Sequence, residues 1–193
     1  MSSLVIAAGS APASMLASLA AVAAGLVFAA SLVSKLRTRR SWRDYRSSIR
    51  ASRAVPGSLA EVAAGLLAVA EAAVVLLLLW PAHRPAGLTA AAGLALILTV
   101  GVAISLGRGS QASCACFGAG QRLSGQHLIR NLSLTAVLAL GAGCADLAGA
   151  EAHAAAGWLA VATAALFGLA VATVIVGWED LLWSLGVLVG TPS

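Results

Sequence analysis

Long apolar runs, separated by short polar or proline-containing segments, dominate the chain. A run of about 18 or more apolar residues is long enough to cross the hydrocarbon core of a membrane as a helix. Lipid accepts only helices or closed barrels, and the runs lack the alternation of barrel strands. The pattern therefore predicts an all-α integral membrane protein of one domain, residues 1–193. It should form a compact four-helix core with a fifth span, the spans covering residues 12–35, 58–80, 86–106, 127–145 and 154–177.

The composition agrees with this fold class and excludes a soluble one. Hydrophobic residues make up 60% of the 193 positions and charged residues only 10%, with a mean hydropathy of +0.95. A soluble domain of this length needs far more polar surface to cover its core. Of the twelve Lys and Arg residues, eight lie between Lys35 and Arg53. Because no soluble platform accompanies them, this cluster indicates a cytoplasmic membrane face and not a nucleic-acid site.

The basic interfacial segment, residues 36–53, has a helical pattern. Its arginines are spaced four, three, four and three residues apart, which places them on one stripe of a helix, and a second stripe of Trp42, Tyr45 and Ile49 runs beside it. The pattern predicts a helix on the membrane surface, with arginines toward anionic lipid head groups and rings toward the acyl chains. A solvated charged loop is the alternative. The arginines of the first stripe are Arg39, Arg43, Arg46, Arg50 and Arg53.

The charge distribution also predicts a topology for a multi-pass protein of the cell (inner or plasma) membrane. Positive residues favour the cytoplasmic side, so the N-terminus is expected outside and the basic segment inside. The turn at 81–85 and the connection at 146–153 are then external, and the loop at 107–126 is internal. Two spans separate the basic segment from that loop, so both lie on one face whatever the absolute orientation.

The loop at 107–126 contains the residues best suited to chemistry, Cys114 and Cys116. A disulfide between residues two apart closes a small, strained ring, and strained disulfides are oxidising and readily exchanged. The alternative is two reduced, unpaired thiols. Zinc would need about four ligands, and only His127 is near in sequence, so no metal is expected. Cys144, near the far end of the fourth span, is expected to be a small apolar packing residue.

Glu71 is the second candidate, because it lies in the middle of the second span. An ionisable group there is costly and tends to face the bundle interior. We expect it to be buried against other helices and mainly neutral near pH 7. It could act in a proton relay, contact a ligand or make a structural hydrogen bond.

Several charged or polar residues lie at the predicted cytoplasmic level. Lys35 closes the first span and Glu61 opens the second, so an ion pair between them is predicted. Arg130 and Asn131 open the fourth span and could hydrogen-bond the cysteine loop, bind an anionic partner or stabilise a thiolate. The alternative for all four is snorkelling at the membrane interface.

With these residues identified, the chain resembles the MauE branch of the MauE/DoxX-like, redox-associated membrane proteins. The resemblance covers roughly Gly25 to Leu140. The specific part of the resemblance is the Cys-x-Cys-Phe-Gly loop together with the Arg-Asn pair that follows it in the chain. Between the two cysteines a glycine is commoner in the family, and Ala115 departs from that pattern. The matching features are Ser34-Lys35-Leu36, Pro56, Glu71, Ser113-Cys114-Ala115-Cys116-Phe117-Gly118 and Arg130-Asn131-Leu132.

The resemblance implies a helical bundle linked to thiol–disulfide exchange. Cys114 and Cys116 would be the redox couple that passes electrons between a client protein and an exchange partner, either a quinone as cofactor or a thioredoxin-fold protein. Lys35, Glu71, Phe117, Gly118, Arg130 and Asn131 would support the couple. The resemblance links the chain to a family needed, with a thioredoxin-like partner, for maturing the disulfide-rich subunit of methylamine dehydrogenase. The family's role resembles that of quinone-linked disulfide-generating membrane proteins. A membrane subunit that anchors or assembles a redox complex, without chemistry of its own, is the rival hypothesis.

The expected side of the cysteine loop conflicts with disulfide formation, which belongs outside the cytoplasm. Three explanations stay open. Electrons could cross the membrane, the loop could be buried, or the orientation could be the reverse of the one predicted from the arginines.

Overall fold

The computed structural model of the chain describes residues 2–109 and 125–154, together with Leu166 and Ala170. Within these residues the secondary structure is helical, with no strand. Four of the helices are long and apolar enough to cross a membrane, over residues 13–36, 57–79, 81–107 and 125–147. The prediction of an all-α membrane bundle is confirmed. The helices are α1 (Ser2–Leu36), α2 (Arg39–Ser52), α3 (Ala60–Leu79), α4 (Arg84–Gly107) and α5 (Gly125–Ala154), with short 3-10 turns at Gly57–Leu59 and Pro81–His83.

The helices overlap the first four predicted spans, but the last boundary differs. A connection was predicted at 146–153, whereas α5 continues to Ala154. The acidic residues there end the apolar run without ending the helix, because the segment is rich in alanine, the best helix former. The fifth predicted span, 154–177, lies almost entirely outside the described residues.

The four long helices pack as a ring in which α1 contacts α3 and α5, and α4 contacts the same two helices. Small residues allow the helices to approach closely, as their abundance predicts. A Cβ atom added at Gly141 of α5 would lie 2.4 Å from the Cβ of Ala20 on α1. Buried alanines line the same face of α1, namely Ala17, Ala20, Ala21 and Ala24.

The basic segment forms the helix α2, so the alternative of an irregular loop is wrong. Thr38 caps its first turn by accepting a hydrogen bond from the Ser41 backbone amide at 3.0 Å. Arg53 ends it in the left-handed conformation, with φ of 57°. The guanidinium of Arg108, just after α4, donates to the Arg53 carbonyl. This contact places the described beginning of the 107–126 loop beside α2, at the end of the bundle where α1 also ends.

Candidate functional site

A buried ion pair joins α1 and α3. Nζ of Lys35 donates a hydrogen bond to Oε1 of Glu71, and the Oγ atom of Ser31 lies 3.5 Å from the same oxygen. The Lys35 and Glu71 side chains are 0% and 1% exposed. The expectation that Glu71 is buried against other helices is confirmed. The predicted pairing of Lys35 with Glu61 is wrong.

The direction of helical side chains explains this partnership. Each Cα–Cβ bond in a helix is tilted toward the helix N-terminus. Lys35 lies in the last turn of α1, so its side chain runs back into the bundle. The same tilt directs Glu71 toward the beginning of α3, and so toward the end of α1. Ser31 lies one turn before Lys35 on the same face of α1, which brings its hydroxyl to the same carboxyl group.

Tyr45 of α2 covers the ammonium group of this pair. The Lys35 Nζ atom lies 4.7 Å from the centre of the Tyr45 ring, at a distance where the face of the ring attracts a cation. The Trp42 ring lies next to it, with 5.6 Å between the ring centres. Tyr45 is buried inside the protein. The prediction that its ring faces the acyl chains is therefore wrong, because the ring packs inside the protein over the Lys35 ammonium group.

Glu61 makes a second, different contact with the basic helix. Its Oε1 atom lies 3.2 Å from Arg46 and 3.8 Å from Arg50. The side chains are exposed or partly exposed, and ion pairs in such places contribute about 0–1 kcal/mol to stability. Glu61 therefore attaches α2 to the beginning of α3, while the buried pair lies deeper in the bundle.

A small cavity lies against the carboxyl group of Glu71. Its volume is about 20 Å³, which is room for one water molecule. The second carboxyl oxygen, Oε2, has no hydrogen-bond partner among the described residues, and a polar group buried in this way is normally satisfied by protein or water. The cavity is lined by Val27, Phe28, Ser31, Glu71, Ala95, Leu98, Asn131 and Leu134.

The arrangement gives the buried Glu71 carboxyl group a basic partner, because the Lys35 side chain donates a hydrogen bond to it. The neutral state predicted for Glu71 assumed an isolated carboxyl group, whereas Lys35 lies next to it. The neutral state of Glu71 stays a prediction.

The structure brings Asn131 to the cavity of Glu71, a contact that sequence reasoning did not predict. Arg130 is buried on the adjacent position of α5, and His127, to which no role was assigned, is buried one turn earlier. His127, Arg130 and Asn131 thus lie at the beginning of α5, directly after the cysteine loop. The roles predicted for Arg130 and Asn131 in holding that loop stay predictions.

The cysteine pair itself, with Phe117 and Gly118, lies outside the described residues. Cys144 is described, and it packs against the hydrophobic core of the bundle, as predicted for a small apolar residue.

Sequence reasoning missed Ser31 and Tyr45 as members of the site. A signal was available for Ser31, because it precedes Lys35 by four residues and so shares its face of α1. For Tyr45 the local pattern pointed the other way, since an aromatic stripe on a basic helix is typical of lipid contact.

Comparisons with known proteins identify the family. The sequence profile of the family described as "Methylamine utilisation protein MauE" matches residues 13–144, a range that includes Lys35, Glu71, both loop cysteines and Arg130. The "Methylamine utilization protein MauE" of Paracoccus denitrificans is 38% identical over 150 residues, covering 75% of this chain and 78% of its own. No solved structure matches. The chain belongs to the MauE family of membrane proteins.

Proposed function

We propose that this chain is a membrane-embedded thiol–disulfide redox protein that oxidises a client protein through Cys114 and Cys116. The observation that carries the proposal is the place where the cysteine loop joins the bundle. The loop begins beside α2, where Arg108 contacts Arg53, and it is followed by the buried Arg130. We propose that Arg108 and Arg130 stabilise the thiolate of a loop cysteine, which is the leaving group when a client thiol attacks the loop disulfide.

The proposed reaction conserves atoms and electrons. A client dithiol attacks the Cys114–Cys116 disulfide through a mixed disulfide, so the client becomes a disulfide and the loop pair a dithiol. A quinone, or the disulfide of a thioredoxin-like partner, then takes two electrons and two protons from the dithiol and regenerates the loop disulfide. The Lys35–Glu71 pair joins α1 and α3 of the bundle that carries the loop. From the name of the Paracoccus relative we further propose that the client belongs to methylamine utilisation.

Single replacements of the loop cysteines test this reaction. In Cys114→Ser or Cys116→Ser, the remaining thiolate can attack the disulfide of the thioredoxin-like partner, but no second loop thiol resolves the mixed disulfide. Exchange requires one attacking and one resolving sulfur, so only one of the two variants should strongly accumulate a covalent adduct with that partner, seen on a non-reducing gel and lost on reduction. Arg130→Gln should slow formation of the adduct without abolishing it.

Two controls accompany these variants. Cys144→Ser should behave as the unmodified protein, because Cys144 packs in the core. The double variant of Cys114 and Cys116 should give no adduct and no function. If cells with the double variant still oxidise the client protein fully, the redox proposal is wrong. The chain would then be a non-catalytic subunit that anchors or assembles a larger redox complex.

A further inference from the structure

A groove at the junction of α1 and α2 combines an apolar wall with several guanidinium groups. It is open to its surroundings and has a volume of about 670 Å³. No carboxylate is among the lining residues that the structure describes. These residues are Leu36, Thr38, Arg39, Trp42, Arg43 and Arg46.

The arginines of α2 differ in how far their charge is already compensated. Arg46 is paired with Glu61, at 3.2 Å. Arg40, which does not line the groove, lies 3.9 Å from Asp44. Within the described part of the chain, Arg39 and Arg43 have no acidic partner at 4.0 Å or less. Two uncompensated cations therefore face one groove.

Local contacts hold two of the lining side chains in place. The Arg43 Nε atom donates to the Arg39 carbonyl at 3.4 Å, which directs the Arg43 side chain back toward the beginning of α2, where Arg39 and Thr38 lie. The Arg46 guanidinium carbon lies 6.0 Å from the centre of the Trp42 ring. Planar guanidinium groups bind phosphate oxygens in a bidentate manner, so the polar wall is suited to a phosphate group.

The depth of the groove indicates the source of that phosphate. The first candidate span ends at Leu36, so the groove lies at the boundary between the hydrocarbon core and the head groups. Leu36 is exposed and Trp42 is half-buried, and such residues suit the acyl end of a lipid. From this combination we propose that the groove binds the head group of one anionic phospholipid, with Arg39 and Arg43 on its phosphate.

This proposal differs from a general attraction between a basic helix and an anionic membrane. General attraction depends on net charge, so every exposed arginine contributes alike. A built site depends on position, so Arg39 and Arg43 should matter much more than Arg37 and Arg40, which do not line the groove. The proposal is also independent of the redox chemistry of the cysteine loop.

The test uses the purified full chain in a neutral detergent, with lipid binding measured by native mass spectrometry. The unmodified protein should retain phosphatidylglycerol in preference to phosphatidylethanolamine. A hydrogen bond between charged groups contributes about tenfold in affinity, so Arg39→Gln with Arg43→Gln should weaken phosphatidylglycerol binding about 100-fold. The matched control, Arg37→Gln with Arg40→Gln, removes the same formal charge and should change it by less than about threefold. Equal losses in the two double variants would overturn the proposal.

Two further measurements use only the unmodified protein. A photoactivatable phosphatidylglycerol should label peptides from residues 36–46, and labelling mainly elsewhere would contradict the site. Millimolar inorganic phosphate should leave the bound lipid in place. If phosphate alone displaces the lipid, the groove is an aqueous anion site and the lipid proposal is wrong.

Discussion

Breaking the buried Lys35–Glu71 ion pair should destabilise the protein far more than breaking the exposed Arg46–Glu61 ion pair. The perturbations are Lys35→Met, Glu71→Gln and the two combined. Methionine keeps an unbranched apolar side chain, and glutamine keeps the shape and hydrogen-bonding capacity of the glutamate. Arg46→Gln and Glu61→Gln, singly and combined, form the matched control, because they alter another pair that also joins a basic side chain to α3.

The expected magnitudes follow from burial. Removing one partner of a buried ion pair costs roughly 3–5 kcal/mol, because the other charge is left without compensation. Both side chains of the Lys35–Glu71 pair are nearly inaccessible, so Lys35→Met should lie in that range. Glu71→Gln should cost about 2–3 kcal/mol, since the amide oxygen can still accept a hydrogen bond from the ammonium. The double variant leaves no uncompensated charge and should cost less than the sum of the two, giving a coupling free energy of about 3 kcal/mol.

The free energy of unfolding can be measured for all variants by titration with a denaturing detergent in mixed micelles. The Arg46–Glu61 pair has side chains that are 33% and 59% exposed, and its coupling should stay below about 1 kcal/mol. A buried-pair coupling no larger than the surface-pair coupling would refute the reasoning. It would mean that water reaches the Lys35–Glu71 pair and screens it.

Two further predictions concern packing and topology. Gly141→Ala should destabilise the bundle by about 1–3 kcal/mol, because the new Cβ would lie 2.4 Å from the Cβ of Ala20. In contrast, Gly143→Ala meets no atom within 4 Å and should be neutral or stabilising in the same unfolding assay; equal effects would contradict the close approach of α1 and α5. In a cysteine-free background, Ser47→Cys and Ser124→Cys should resist a membrane-impermeant thiol reagent in intact cells, whereas Ala152→Cys should react. The reverse pattern would overturn the predicted orientation, and different results at Ser47 and Ser124 would overturn the number of spans.

The local elements of the fold could be predicted from the sequence. Apolar runs long enough to cross a membrane must become helices, because lipid offers no partner for backbone polar groups. Proline predicted where the segment that contains α4 begins. The arginine spacing predicted the helix α2. Neither prediction needed tertiary information. The same reasoning placed Glu71 in the bundle interior, because a carboxyl group in the middle of a span is costly in lipid.

The partners within the site were decided by the tertiary structure. Spacing along one helix shows which residues share a face, as Ser31 and Lys35 do, but it does not show which face of a neighbouring helix they meet. Sequence reasoning paired Lys35 with Glu61 because both lie near the ends of their spans. The structure pairs Lys35 with Glu71, which lies further along α3 and deeper in the bundle.

The physical reason lies in the rotation and depth of each helix in the ring. These depend on packing between helices, such as the close approach of α1 and α5 at Ala20 and Gly141, which the order of residues along one helix does not show. Once that packing is made, the backward tilt of the Lys35 side chain brings its ammonium to Glu71 and beneath Tyr45. The sequence by itself determined that this chain is a helical membrane protein with a basic helix and an intramembrane carboxyl group. Only the packing of the helices decided which cation that carboxyl group meets.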